Sequence, residues 1–232
     1  AAYLILPSSS SLFLYGQCAM SPKKFEKKRC RDIIPHMRHD RLTKTLQSVV
    51  TFLLIPSLNI TAFIMTDALR SNLSQLSMHA PWFLFLWGSC SALNFLYMSR
   101  LCYGHCHYTQ KKTRSLWLSV SCLCMVLCLL IPYDPVQENI LNQWHVRLGF
   151  IGTACYVLQF FHFLLTSINE GWLFLRPFLY AYVLLCFISL YSTALSGGVT
   201  GMSEVIFSCG MSLYLYLLVR RCDTFKNRKD RF

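Results

Sequence analysis

Charged residues are scarce in this 232-residue chain, where Asp, Glu, Lys and Arg together make up 14% and only ten residues are acidic. A soluble domain usually carries about 25% charged residues. The shortage excludes an ordinary soluble fold and leaves no room for a large soluble domain. Hydrophobic residues take up 54% of the chain instead.

The sequence motifs of the common enzyme classes are also missing. The chain contains no Gly-x-Ser-x-Gly, no His-Glu-x-x-His, no Walker loop and no dinucleotide-binding fingerprint. The sequence therefore implies no cofactor, and it does not favour an enzyme.

Six apolar runs divide the chain, at about 46–66, 81–101, 115–132, 146–166, 177–196 and 203–219. Each run has about the 20 residues that cross a bilayer as a helix. We predict an all-α fold, a polytopic membrane bundle of six transmembrane helices. A basic N-terminal segment, 1–45, precedes the six-helix domain, 46–219, and a basic tail, 220–232, follows it.

Lys and Arg are unevenly distributed between these runs. Twenty of the 22 lie in alternate stretches: nine in 1–45, four in 100–114, Arg176 alone, and six in 220–232. The remaining stretches hold Arg70 and Arg147. Because basic residues mark the cytoplasmic side of a membrane protein, we predict that both termini are cytoplasmic. The same residues would attract anionic lipid at that face, and their pattern does not indicate nucleic-acid binding.

The first nineteen residues differ from the basic segment that follows them. They begin without Met, contain a short apolar stretch broken by Pro7, and precede Met20. We expect Met20 to be the natural start and 1–19 to be a leader.

The predicted topology places six ionisable residues together at the outer ends of helices: Asp67, His79, Asp134, His145, Arg147 and Glu204. Such a layer could bind a divalent cation, relay protons or hold a lipid head group. His79, His145 and Glu204 are its candidate metal ligands. The alternative is that these are ordinary residues of turns and helix ends, where charge is tolerated and a first-turn carboxylate suits the helix dipole. The sequence leaves both readings open.

One inner loop carries a second group of possible metal ligands, Cys102, His105, Cys106 and His107. Their spacing fits no common structural zinc pattern, so we interpret the loop as a solvated interfacial segment. Cysteines on the cytoplasmic side stay reduced, and none of the twelve cysteines lies in a predicted outer loop.

Several short motifs suggest a family. They are Leu73-Ser74-Gln75-Leu76, His79-Ala80-Pro81-Trp82, Phe85-Leu86-Trp87-Gly88 and Ile131-Pro132-Tyr133-Asp134, with His145 and Glu204 at the starts of two spans. With these motifs, residues 45–220 resemble a group of six-helix bacterial membrane proteins of unassigned activity, distantly similar to DRAM-like and Sfk-type proteins. The resemblance implies fold, topology and a bacterial plasma membrane, but no activity. The outline is also similar to the CREST group of intramembrane hydrolases, whose His-x-x-x-His motif this chain lacks.

Three functions remain open. The first is a non-enzymatic membrane protein that binds lipid, senses or scaffolds, with a polar site at its outer face. The second is an intramembrane metal-dependent lipid hydrolase that uses His79, Asp134, His145 and Glu204. The third is a small transporter, although only Pro56 with Asn59, and Gly210, interrupt the spans, and no midplane charge accompanies them. The oligomeric state does not follow from the sequence.

Overall fold

Six long helices make up most of the structure, a computed structural model that describes residues 42–67, 71–106, 108, 111–134, 139–196 and 198–229. No described residue lies in a β-strand, so the all-α prediction is confirmed. The helices are α1 (Leu42–Met65), α2 (Pro81–His105), α3 (Lys111–Leu129), α4 (Ile140–Asn169), α5 (Arg176–Leu195) and α6 (Gly201–Lys229). The expected leader, 1–19, lies outside the described residues.

Five of these helices, α1, α3, α4, α5 and α6, are long and apolar enough to cross a membrane. The 25-residue α2 is long enough but less apolar, because it carries Ser89, Ser91, Asn94 and Ser99. Two helices extend well beyond the predicted runs. Helix α4 begins at Ile140 rather than 146, and α6 continues to Lys229, through most of the predicted tail.

Helices α2 and α6 have the largest number of neighbours. Helix α2 packs on α1, α3 and α6, while α6 also packs on α1 and α5, and α3 lies along α4. Short connections between neighbours make successive helices alternate in direction. We call the end formed by Met65, Pro81, Leu129, Ile140, Leu195 and Gly201 the capped end. The opposite end, with His105, Lys111, Asn169, Arg176 and Lys229, is the basic end.

Apolar side chains face outward and many polar ones face inward. Phe150 is 73% exposed and Leu184 is 58% exposed, whereas Asn59 and Ser212 are each only 1% exposed. Soluble monomers rarely expose contiguous apolar patches of more than a few hundred Å². The distribution of side chains therefore suits a membrane protein.

Helix α1 contains a π-helical stretch, Val50–Leu54, which ends two residues before Pro56. Pro56 has no N–H to donate to the preceding turn. The N–H of Ile55 bonds to the carbonyl of Val50, five residues earlier. The wider turn gives α1 a buried stripe with a four-residue repeat, consisting of Gln47, Thr51, Ile55 and Asn59. Three of these four residues are polar.

Gly152 allows α3 and α4 to approach closely. A Cβ atom at this position would lie 2.9 Å from the carbonyl oxygen of Ser121 and 3.0 Å from the amide nitrogen of Met125. Both are backbone atoms of α3, so they cannot move aside as a flexible side chain could. The contact between α3 and α4 therefore depends on the missing side chain.

We predict that Gly152→Ala lowers the free energy of unfolding by about 1–3 kcal/mol, since it overpacks a rigid contact. The measurement is thermal unfolding of the purified protein in detergent, followed by circular dichroism. Gly149→Ala is the matched control on the same helix, because its Cβ would lie 3.5 Å from the Cys128 sulfur, an ordinary contact. Equal midpoints for the two variants would contradict the prediction.

Candidate functional site

Residues Ser71–Ala80, here the cap segment, lie over the capped end between α1 and α2. The segment contains a 3-10 turn, Leu73–Gln75, and a helical turn, Leu76–His79. The side chains of Leu73 and Leu76 are buried in a cluster with Ala62 and Phe83. Polar bonds to α6, to the chain after α3 and to α4 hold the segment in place.

Glu204 binds the beginning of the cap segment to α6. Its Oε2 accepts a hydrogen bond of 2.7 Å from the backbone N–H of Leu73. Beside it, the N–H of Gly201 donates to the carbonyl of Ser71 at 2.8 Å. The first N–H groups of a helical turn have no partner within the turn. Glu204 therefore acts as a cap supplied by another helix.

His145, on α4, joins the middle of the cap segment to α4 and to the chain after α3. It is 5% exposed, with Nδ1 2.9 Å from the carbonyl of Ile131 and Nε2 2.9 Å from Oγ of Ser74. Because a carbonyl can only accept, Nδ1 donates to it, and in the neutral ring Nε2 then accepts from the Ser74 hydroxyl. The ring also lies against Tyr133, with centroids 5.0 Å apart. Both ring nitrogens are thus already engaged.

Ser77 and Asn142 secure the chain after α3. The N–H of Tyr133 donates to Oγ of Ser77 at 3.0 Å, and the Ser77 hydroxyl is 3.1 Å from the Tyr133 carbonyl. The N–H of Asp134 donates to Oδ1 of Asn142 at 3.0 Å, and the Asn142 amide donates to the Asp134 carbonyl. Asp134 makes both of its bonds to Asn142 through its backbone N–H and carbonyl groups.

The predicted outer layer is therefore only partly assembled. His145 and Glu204 both contact the cap segment, through Ser74 and Leu73 respectively. The side chains of Asp67, His79 and Arg147 are exposed, with Arg147 5.9 Å above the ring of Trp144.

The structure does not support the metal hypotheses. Among the described residues, no three His, Cys, Asp or Glu side chains are grouped so that they could hold a metal ion. His79, His145 and Glu204 thus form no shared site, because His145 and Glu204 face the cap segment while His79 is exposed. The same holds for Cys102, His105 and Cys106 in the inner loop, whereas His107 lies outside the described residues.

A second polar set lies inside the bundle between α1, α2 and α6. This polar column consists of Asn59, Trp87, Ser91, Asn94, Ser208 and Ser212. Asn59 is at its centre, with Nδ2 donating to the Ile55 carbonyl at 2.8 Å and to Oγ of Ser208 at 3.2 Å. Trp87 Nε1 donates to Oδ1 of Asn59 at 3.1 Å. One amide therefore joins three helices.

The polar column continues along α6 towards the basic end. Ser91 and Ser208 share a hydrogen bond of 3.1 Å, and the amide of Asn94 donates to Ser212 at 3.1 Å. Farther along, the Tyr216 hydroxyl is 3.0 Å from Oγ of Ser48. Interhelical hydrogen bonds of this kind hold membrane helices together.

A groove of about 240 Å³ opens between α1 and α2. The Ile55–Met65 part of α1 packs on α2, whereas the π-helical stretch packs on α6, and the two helices leave a gap beside that stretch. Most side chains that line the groove are apolar, and Gln47 and Asn94 are the polar amides among them. The full lining is Leu46, Gln47, Val50, Leu54, Cys90, Leu93, Asn94, Tyr97 and Met98.

No family model matches the chain, and no curated protein or solved structure matches it either. The resemblance to DRAM-like and Sfk-type proteins therefore stays a prediction.

Sequence reasoning missed the partners of the cap segment and most of the polar column. Ser74 and Ser77 read as ordinary polar loop residues, because their partners are distant in sequence. A readable signal did exist in α6, where Glu204, Ser208, Ser212, Tyr216 and Arg220 recur every four residues. That repeat places polar groups on one face of an apolar helix.

We predict that Glu204→Ala loosens the cap segment, since it removes the acceptor for the Leu73 N–H. Leaving a buried donor unpaired costs about 1–3 kcal/mol, so exchange of that amide should accelerate about tenfold or more. The measurement is hydrogen exchange of peptides covering the cap segment, read by mass spectrometry. Glu204→Gln keeps an acceptor oxygen and should retain most of the protection.

His79→Ala is the control within the same segment, because His79 is exposed. It should leave exchange of the cap segment unchanged. Unaltered exchange in Glu204→Ala would show that the carboxylate does not anchor the segment.

Proposed function

We propose that this chain is an integral membrane protein that crosses the bilayer six times and binds membrane lipid without catalysing a reaction. The five apolar helices and the outward-facing apolar side chains support the membrane setting. Helix α2 is the sixth span in this proposal. Its polar residues Ser91 and Asn94 are buried and bond to α6, so their polar groups find partners within the bundle.

The charge distribution supports an orientation with both termini in the cytoplasm. Among the described residues, Lys111, Lys112, Arg176, Arg220 and Arg221 lie at or near the basic end of the bundle, whereas Arg147, in the second turn of α4, is the one Lys or Arg near the capped end. Basic residues favour the cytoplasmic side. We place the capped end outside, in a bacterial plasma membrane.

The groove between α1 and α2 is the observation that carries lipid binding. Along α1 it extends from Leu46 to Leu54, a distance of about 12 Å at 1.5 Å per residue. One leaflet of a hydrocarbon core of about 30 Å has a similar thickness. The groove lies in the half of the bundle nearer the basic end. It thus fits one acyl chain of a cytoplasmic-leaflet phospholipid.

The basic end would favour an anionic head group on that lipid. Lys and Arg near a membrane surface each contribute about 1 kcal/mol of attraction to anionic lipid. Tyr97 lines the groove and is exposed, so its hydroxyl adds a polar group to a mostly apolar wall. The bound lipid is therefore proposed to be an anionic phospholipid of the inner leaflet.

The two other functions receive unequal support. The metal-dependent hydrolase lacks a ligand cluster among the described residues. The small transporter is favoured by one observation, the π-helical interruption of α1 beside the polar column, since transporters use irregular helices with polar interiors. We place it second because the amides and hydroxyls of the polar column bond to one another.

We predict that the wild-type protein, extracted gently from membranes, retains one tightly bound phospholipid per chain, with anionic lipid enriched. Cys90→Phe fills the groove from α2 and should lose that lipid. Native mass spectrometry of the intact chain counts the bound lipid. Leu86→Phe is the control on the same helix, because Leu86 is exposed but does not line the groove.

Equal retention of phospholipid by Cys90→Phe and Leu86→Phe would contradict the groove as the binding site. A second groove variant, Val50→Phe, approaches from α1. If Val50→Phe loses the phospholipid as Cys90→Phe does, the loss comes from filling the groove and not from a local change in α2.

A further inference from the structure

Two thiols from distant parts of the chain touch at the basic end of the bundle. Sγ of Cys106 lies 3.7 Å from Sγ of Cys222, across 116 positions of sequence. Cys106 follows the last residue of α2, and Cys222 lies near the end of α6. Neither cysteine is in a disulfide, and each is 1% exposed. The contact therefore joins the ends of the two central helices.

A third thiol completes this group. Cys102 lies one turn before Cys106 on α2, is fully buried, and its thiol is close to that of Cys222. Among the described residues, these three thiols are not grouped so that they could hold a metal ion. What remains is the chemistry of thiols in contact with one another.

We propose that Cys106 and Cys222 are a redox modification site that a peroxide converts to an intramolecular disulfide. A disulfide has a sulfur–sulfur distance of about 2.05 Å, so the two atoms at 3.7 Å need to approach by about 1.7 Å. Cys106 is better placed for this movement than Cys102. Cys102 is held within the helical turn, whereas Cys106 lies past the end of the helix.

The reaction balances with hydrogen peroxide as the oxidant. The thiolate of one cysteine attacks the peroxide, which breaks the oxygen–oxygen bond, gives a sulfenic acid and, once a proton is taken up, releases water. The second thiol then attacks the sulfenic sulfur, the sulfur–sulfur bond forms, and a second water leaves. Two thiols lose two electrons and two protons, and one peroxide becomes two waters. A dithiol reductant reverses the change by exchange.

The surroundings of the pair determine which oxidants can react. The hydrogen bond to Cys222, followed by burial, raises the pKa of the Cys106 thiol. Little thiolate is present at neutral pH, so the first step is slow. Burial also excludes bulky disulfides such as oxidised glutathione. A small, uncharged peroxide is the class of oxidant that fits.

The test treats the full-length protein in membranes with hydrogen peroxide, blocks remaining thiols with N-ethylmaleimide, and analyses proteolytic peptides by mass spectrometry. We expect a linked peptide pair that contains Cys106 and Cys222 and disappears after dithiothreitol. Cys102→Ser should still form the link, whereas Cys106→Ser and Cys222→Ser should not. The oxidised wild type should also unfold at a higher temperature, because the bond ties α2 to α6.

A cysteine-containing peptide added to the same membranes is the control for the oxidant. If peroxide oxidises that peptide but produces no linkage between Cys106 and Cys222 in the wild type, the proposal is wrong. A dominant linkage between Cys102 and Cys222 would also overturn it. The decisive result comes from the wild type, so it does not depend on how well a variant folds.

Discussion

Hydrogen bonds between polar side chains of α1, α2 and α6 join the three helices inside an apolar bundle, and the rest of this structure depends on that constraint. Lipid offers no hydrogen bonds, so an unpaired amide or hydroxyl in the bundle is costly. Asn59 illustrates the solution, because its side chain bonds to α6 and α2 as well as to its own helix. Interhelical bonds of this type contribute roughly 1 kcal/mol each.

The same constraint explains why α2 combines a central position with a modest hydropathy. Trp87 bonds to α1, Ser91 and Asn94 bond to α6, and Ser99 bonds to Tyr156 of α4 at 2.9 Å. Small side chains let helices approach closely, and hydroxyls and amides then bond across the contact. The polar residues of α2 thus reflect its contacts with neighbouring helices.

At the capped end, two residues that resemble parts of a functional site instead hold the cap segment in place. His145 and Glu204 are conspicuous in sequence because ionisable residues at membrane depth are expensive. In the structure each one satisfies a group of the cap segment. The proposed function accordingly moves from the outer polar layer to the apolar groove between α1 and α2.

The helices were predictable from the sequence, but much of the site was not. Apolar runs of about 20 residues identify six helices, since length and hydropathy are local properties. The ends of α4 and α6 were misplaced, because Asn139 caps α4 early and the basic tail continues as helix. The bonds of Ser74 to His145 and of Leu73 to Glu204 join positions far apart, which periodicity does not reveal. The groove depends on the π-helical stretch before Pro56, and only a kink at that proline could be anticipated.

Locating both termini tests the central claim, that α2 crosses the membrane as the sixth span, most directly. In the full chain, one reporter domain is inserted before Leu42 and another is fused after Phe232. Each reporter is then assigned to one side of the membrane. Six crossings place both reporters in the cytoplasm. Reporters on opposite sides would mean an odd number of crossings, with α2 outside the membrane, and would contradict the account.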